Sequence, residues 1–298
     1  ADEIDERHES VSEFSAGAVR FLFGLAKKML LANAVAQVAD AAFSAASPSV
    51  LFAWLGAVSY TFQIYFDFSA YSDMAIGLGR MFGFHFLENF NYPYVSRSIT
   101  EFWRRWHISL STWFRDYVYI PLGGNRCSRA RNILNLFIVW FLTGLWHGAS
   151  WNFICWGLWF FVLLIGEKFV WGKALSRLPA LLQHLYTMLL VILSWVLFRA
   201  DTLGAALTYF SAMFGISGVF CGERVIYYAL EFWPELLCCC VAALPVKTLL
   251  ETSLEARDSR ISRAVLIAGP KLASLALLTL SYCKLVTGSF NPFIYFRF

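Results

Sequence analysis

Charge is what this 298-residue sequence has least of. Only 15% of its residues are Asp, Glu, Lys or Arg, where soluble domains carry about 25%. With 59% hydrophobic residues and a mean hydropathy of +0.58, the chain cannot cover a water-facing globule, and a soluble domain is excluded. Cysteine motifs are missing too. None of the seven cysteines forms a Cys-X-X-Cys pair or takes a Cys/His ligand spacing. Cys238, Cys239 and Cys240 are consecutive in an apolar segment, where thiols behave as small hydrophobes. Neither a metal centre nor a disulfide framework is expected. No signal peptide is expected, and the opening at Ala1 without a methionine, straight into an acidic run, fits either processing or a fragment whose upstream portion is absent. The bases lie scattered between apolar stretches rather than in one patch, so nucleic acid is not an expected partner.

The formal charge of +4 hides a split. Residues 1–13 hold Asp2, Glu3, Asp5, Glu6, Glu9 and Glu13 against Arg7 alone, and form an acidic tail. Without that tail the balance is strongly positive. The excess collects in short connections, at 125–131 with three Arg and at 167–177, which the positive-inside rule places in the cytoplasm. A helix needs roughly 20 mainly apolar residues to cross the hydrocarbon core. Such runs occur at 48–66 and 177–199, and less cleanly at 225–246 and 264–287. No repeat or linker divides the chain, so 14–298 reads as one membrane domain.

Two stretches have helical periodicity with polar faces. In 14–38, Phe14, Ala18, Leu22, Leu25 and Met29 form one stripe while Arg20, Lys27 and Lys28 form another. Such a helix either lies among anionic headgroups or packs with solvated lysines. In 98–117, Ser98 and Glu101 make a capping box, and Phe102, Trp103, Trp106, His107, Leu110, Trp113 and Phe114 recur at helical spacing up to Pro121. His107 is the polar member of that stripe. Burying it without a partner would cost about 1–3 kcal/mol, so it has either a structural hydrogen bond or a functional task.

The uncharged run 132–166 is too long for one span and short for two. Near its middle His147 stands between Gly144 and Gly148, in Leu-Thr-Gly-Leu-Trp-His-Gly-Ala-Ser. Ionisable residues at membrane depth usually face a bundle interior or a water-filled cavity. Glycines four apart let a second helix approach, or let the helix break where it lines a cavity. The run therefore reads as a re-entrant or broken hairpin with His147 at its turn. Limbs of roughly 15 residues would reach about 22 Å, less than the ~30 Å core. Histidine, with an ordinary pKa near ~6.5, can take and return a proton near neutrality, as an attacking hydroxyl requires. Polar glue between helices is the alternative. His184 reads as such glue, His85 as interfacial and His8 as solvated. Asp67 and Asp73 read as partners of an arginine such as Arg80. The 12 Trp and 13 Tyr fit aromatic belts better than sugar stacking.

The stretch 65–126, YFDFSAYSDMAIGLGRMFGFHFLENFNYPYVSRSITEFWRRWHISLSTWFRDYVYIPLGGNR, resembles the membrane-bound O-acyltransferases, specifically their alginate O-acetyltransferase branch. WHGASWNFICWG at 146–157 and NPFIYFRF at 291–298 are similar to the same branch. The resemblance implies an all-α, polytopic transmembrane bundle with broken or re-entrant helices around a central tunnel, in the cell (plasma or inner) membrane. It implies that His147 is the active-site histidine and His107 the second characteristic one. It also implies no permanently bound cofactor, acetyl-CoA as acetyl donor, a polysaccharide acceptor and extracytoplasmic acetyltransferase partner proteins. Members of that family usually carry further helices upstream, so the chain is expected to be the C-terminal part of such a protein. D-alanyl transfer to teichoic acids is the rival within the enzymes. A transporter or proton channel is the rival outside them, although only one broken segment and no repeat are visible.

Overall fold

The computed structural model describes residues 7–216, 218–257, 259–287 and 293. Residues 1–6 of the acidic tail and, apart from Phe293, the 291–298 motif lie outside the described residues. In chain order the helices are α1 (Val11–Ala26), α2 (Asn33–Phe43), α3 (Val50–Met81), α4 (Ile99–Arg105), α5 (Ile108–Phe114), α6 (Arg129–His147), α7 (Trp151–Gly166), α8 (Gly172–Leu175), α9 (Ala180–Arg199), α10 (Leu203–Met213), α11 (Glu223–Ala242), α12 (Val246–Ala256) and α13 (Arg260–Thr287). Wider π-helical turns continue α1, α5 and α7 at Lys27–Ala32, Arg115–Tyr119 and Glu167–Trp171. Among the described residues there is no β-strand. The all-α expectation holds.

Five helices among the described residues are long and apolar enough to cross a membrane: Val11–Phe43, Trp151–Leu175, Ala180–Arg199, Glu223–Ala242 and Arg260–Thr287. Three of them match the expected spans at 177–199, 225–246 and 264–287. The run at 48–66 belongs to the longer α3, which is not among the five. Asp67, Ser69, Ser72 and Asp73 dilute its apolar content.

The chain gathers into two compact units. The first comprises 1–37, 62–88 and 232–297. Within it α1 and the later turns of α3 run antiparallel at backbone contact. A Cβ on Gly17 would lie 2.5 Å from the carbonyl oxygen of Gly77, and one on Gly24 would lie 2.9 Å from that of Ala70. Ion pairs line the seam. Glu13 meets Arg80, Arg20 and Lys27 meet Asp73 at 2.8 and 2.6 Å, and Lys28 meets Asp67 at 2.6 Å. This bears on two expectations. The bases of α1 and the π turn after it face a neighbouring helix rather than headgroups, and Asp73 pairs with an arginine as expected, though with Arg20 and not Arg80, while Asp67 pairs with Lys28. The helix is arranged inside out: Gly17, Gly24 and Lys28 are buried while Phe14 is exposed. Such an arrangement suits a lipid surround, which is as apolar as a leucine and leaves close packing and polar contacts to join helices. α13 packs along α1 in the same unit. Apolar side chains of α11 and α13, such as Leu230, Trp233, Ile267 and Leu272, remain exposed.

The second unit comprises 38–61 and 89–231. Its centre is aromatic: Trp103 lies 4.6 Å from Trp140 and 4.9 Å from Phe160, and Trp106 lies 4.9 Å from Trp195. A smaller cluster joins Ala53 and Ala57 to Val196, Tyr209, Ala212 and Met213, with the Tyr209 hydroxyl donating to the Ala53 carbonyl at 2.9 Å. The 132–166 run is two helices, α6 and α7. Gly144 faces Phe153 and Ile154, and Gly157 faces Trp140, so the pair is an antiparallel hairpin. Its limbs are longer than expected. α6 has 19 residues, about 28 Å at 1.5 Å per residue, and the second limb, Trp151–Leu175, has 25, about 37 Å.

Candidate functional site

His147 is the last residue of α6. The helix stops there because Gly148 takes an extended backbone conformation and gives its N–H to the Leu145 carbonyl, after which Ser150 opens α7. A Cβ on Gly148 would come 2.7 Å from the Phe153 ring. Of the two glycines, Gly144 therefore permits the approach of the second limb and Gly148 the break. Asn152, in the first turn of α7, donates to the Ala200 carbonyl at 2.7 Å and so anchors the turn against the end of α9. The imidazole is walled by rings set edge to face: Trp146 at 4.8 Å, Trp156 at 4.9 Å and Phe198 at 5.2 Å. Such walls hold the ring in place.

The 98–117 stretch is not one helix. It breaks into α4 and α5 at His107, which sits in the left-handed region at φ 45°. A residue with a side chain is uncommon there, and the strain, of order 1–3 kcal/mol, persists only where surroundings enforce it. His107 is thus at a corner rather than on a continuous stripe, and it is buried. Its Nδ1 lies 3.3 Å from Asn89 Oδ1 and 3.4 Å from Ser109 Oγ. Its ring is 6.1 Å from that of Trp146, the indole that also touches His147. The two imidazoles are within electrostatic reach of one another.

One residue of this region carried no signal in the sequence. Glu167, in the π turn after α7, is buried and accepts from Ile99 N at 2.7 Å, from Thr100 N at 2.9 Å and from Thr100 Oγ1 at 2.7 Å. It caps α4 from outside the helix, alongside Ser98, whose Oγ accepts from Glu101 N at 3.0 Å. A carboxylate there also meets the positive end of the helix dipole. Next to it Lys168 donates to Asn125 and Asn132 at 2.6 and 2.7 Å. Asn132 in turn donates to the Gly124 carbonyl at 2.8 Å, pinning the Gly-Gly-Asn loop to the open end of the hairpin. The remaining histidines lie elsewhere. His184 bonds the Ser96 carbonyl at 3.2 Å, which is the gluing role expected of it. His85 is exposed, 3.6 Å from Glu13, and His8 is exposed. Among the described residues no three His, Cys, Asp or Glu side chains converge as a metal-ligand group.

The family model of the membrane-bound O-acyltransferase family (MBOAT) matches residues 5–201. The chain is 51% identical to "Probable alginate O-acetylase AlgI" of Pseudomonas aeruginosa over 72% of its own length and 41% of that protein's. It is 40% identical to the protein of the same name in Azotobacter vinelandii over its whole length and 65% of that protein's. It is 43% identical to "Peptidoglycan O-acetyltransferase" of Helicobacter pylori over 68% of its length and 39% of that protein's. The chain thus spans less than two thirds of these relatives.

Proposed function

Because the chain belongs to the membrane-bound O-acyltransferase family, we propose that the protein carrying it is a membrane-embedded O-acyltransferase. In this reading it moves an acetyl group from a cytoplasmic thioester donor, acetyl-CoA, toward hydroxyls of an extracellular polysaccharide. The relatives' names support acetyl as the group, and two of the three name alginate. The same names favour alginate or a similar exopolysaccharide over a teichoic acid. Family membership weighs against a transporter or proton channel.

The observation that carries the chemistry is the position of His147. It closes the tip of an antiparallel hairpin among aromatic walls, with the His107 ring 6.1 Å from the same Trp146. The neutral imidazole of His147 takes the proton of the acceptor hydroxyl as the oxygen attacks the thioester carbonyl. The new C–O bond forms, the C–S bond breaks, and the proton passes from the imidazolium to the departing thiolate. His107 supports the reacting groups from the helix corner. The membrane is the cell membrane, crossed several times, and extracytoplasmic acetyltransferases complete delivery to the polymer.

Deleting the gene from its host and measuring ester groups on each surface polymer tests this reading. Loss of O-acetyl esters from an exopolysaccharide, restored by the intact gene, is expected. Unchanged acetylation with loss of D-alanyl esters would overturn it.

A further inference from the structure

The corner at His107 is held from outside by the 89–91 segment. α5 begins at Ile108, and the residue before it, His107, places no side-chain cap on the helix. Asn89 supplies that cap instead. Its carbonyl oxygen accepts from Ile108 N at 3.0 Å and its side-chain Oδ1 accepts from Ser109 N at 3.2 Å and from Ser109 Oγ at 2.9 Å. The neighbouring Asn91 N–H bonds the Arg105 carbonyl at 2.9 Å, so the 89–91 segment clasps both sides of the break.

This geometry bears on the orientation of the Asn89 amide and on the tautomer of His107. A backbone N–H can only donate, so the amide atom facing Ser109 N is the oxygen of Asn89 and not its nitrogen. The same oxygen lies 3.3 Å from His107 Nδ1, and the Ser109 hydroxyl, 3.4 Å from that nitrogen, gives its hydrogen to Asn89 Oδ1 at 2.9 Å, so these contacts favour the tautomer with hydrogen on Nδ1. In a neutral imidazole the proton on one nitrogen leaves the other as an acceptor.

We propose that Asn89 is a positioning residue for the transfer reaction. It frees His107 from capping duty, holds the left-handed corner, and fixes the tautomer with hydrogen on Nδ1 and the lone pair on Nε2. His107 then receives a hydrogen bond on its Nε2 side and does not give one while neutral. This rests on the reading of His107 as a member of the reaction site. A titratable side chain within reach of it is His147 on α6; on α4, Arg105 is engaged by Glu101 at 2.9 Å and by the Asn91 carbonyl at 3.1 Å.

The test uses the full-length protein in membranes, with transfer rate measured against pH for Asn89→Ala, Asn89→Asp and His107→Gln. Asn89→Ala should lose about tenfold or more in rate, within the range of acid–base contributions. Asn89→Asp keeps an acceptor and should recover much of that rate at high pH. Its acid limb should move to higher pH, because a carboxylate beside Nδ1 favours the imidazolium. A purely structural cap would restore the rate without moving the profile, and that result would overturn the proposal. So would a wild-type rate for Asn89→Ala beside an inactive His107→Gln, with the reading of the site left standing. A fully active His107→Gln would remove both. Should Asn89→Ala fail to accumulate, the profile of Asn89→Asp decides.

Discussion

Thr100 gives Glu167 both its amide and its hydroxyl, at 2.9 and 2.7 Å, and both reach the same carboxylate oxygen. With Ile99 N on the other oxygen at 2.7 Å, one side chain satisfies the start of α4 and ties that helix to the end of α7. The helix that leads to His107 is thereby fixed to the hairpin that ends in His147.

Glu167→Ala should therefore lower stability by about 2–4 kcal/mol, because it leaves buried donors unmet and removes charge-assisted bonds. Glu167→Gln, which can still accept on one side, should cost less. Thermal unfolding of the purified protein in detergent measures both, and an unchanged midpoint for the alanine variant would contradict the capping role.

Replacing His147 by Ala or Gln should abolish acyl transfer while the protein still inserts and accumulates. His107→Gln should reduce transfer strongly with insertion intact. Acetyl content of the surface polymer, read beside the protein level in the membrane fraction, separates the two. Near-normal acetylation in the His147 variants would remove it from the chemistry.

Lys28 and Asp67 are 5% and 2% exposed, so removing one takes from the other an opposite charge 2.6 Å away. Lys28→Met alone should destabilise by about 3–5 kcal/mol, whereas Lys28→Met with Asp67→Leu should regain most of that loss. The readout is a double-mutant cycle on unfolding temperature. Additive losses would mean that the two side chains do not depend on each other.

The antiparallel hairpin puts residue 128 and residue 173 at the same end of their limbs, so both should face the cytoplasm. Single cysteines at Ser128 and Lys173, with the native cysteines removed, should both resist an impermeant thiol reagent in intact cells and react after lysis. Labelling of one alone from outside would mean that the limbs do not return to one side.

What the sequence made legible was what a short window contains. The break near His147 follows from an uncharged run of awkward length and two glycines four apart, all within a few residues. The corner at His107 was hidden because the capping box and the apolar period continue through it. The force that bends the chain comes from Asn89, 18 positions earlier. Partners of the acidic residues in α3 were illegible for the same reason: Arg80 was near in sequence, while Arg20, Lys27 and Lys28 were near in space. Glu167 sits in a connection whose basic neighbours suggested only orientation. The limbs of the hairpin were underestimated because the wider turn at Glu167–Trp171 carries the second one past its charged residues.

The seam between α1 and α3 has a consequence for assembly in the bilayer. Glu13, Arg20 and Lys27 recur every seven residues, and Arg80 and Asp73 answer the first two in reverse order. Sliding the helices by one heptad in one direction would set Glu13 opposite Asp73. Sliding them the other way would set Arg20 opposite Arg80. Glycine at Gly17 and Gly24 makes the surfaces smooth enough to slip, and lipid offers no hydrophobic penalty to stop it. The alternating signs act as a ratchet tooth, so that a slip of one heptad in either direction brings like charges face to face.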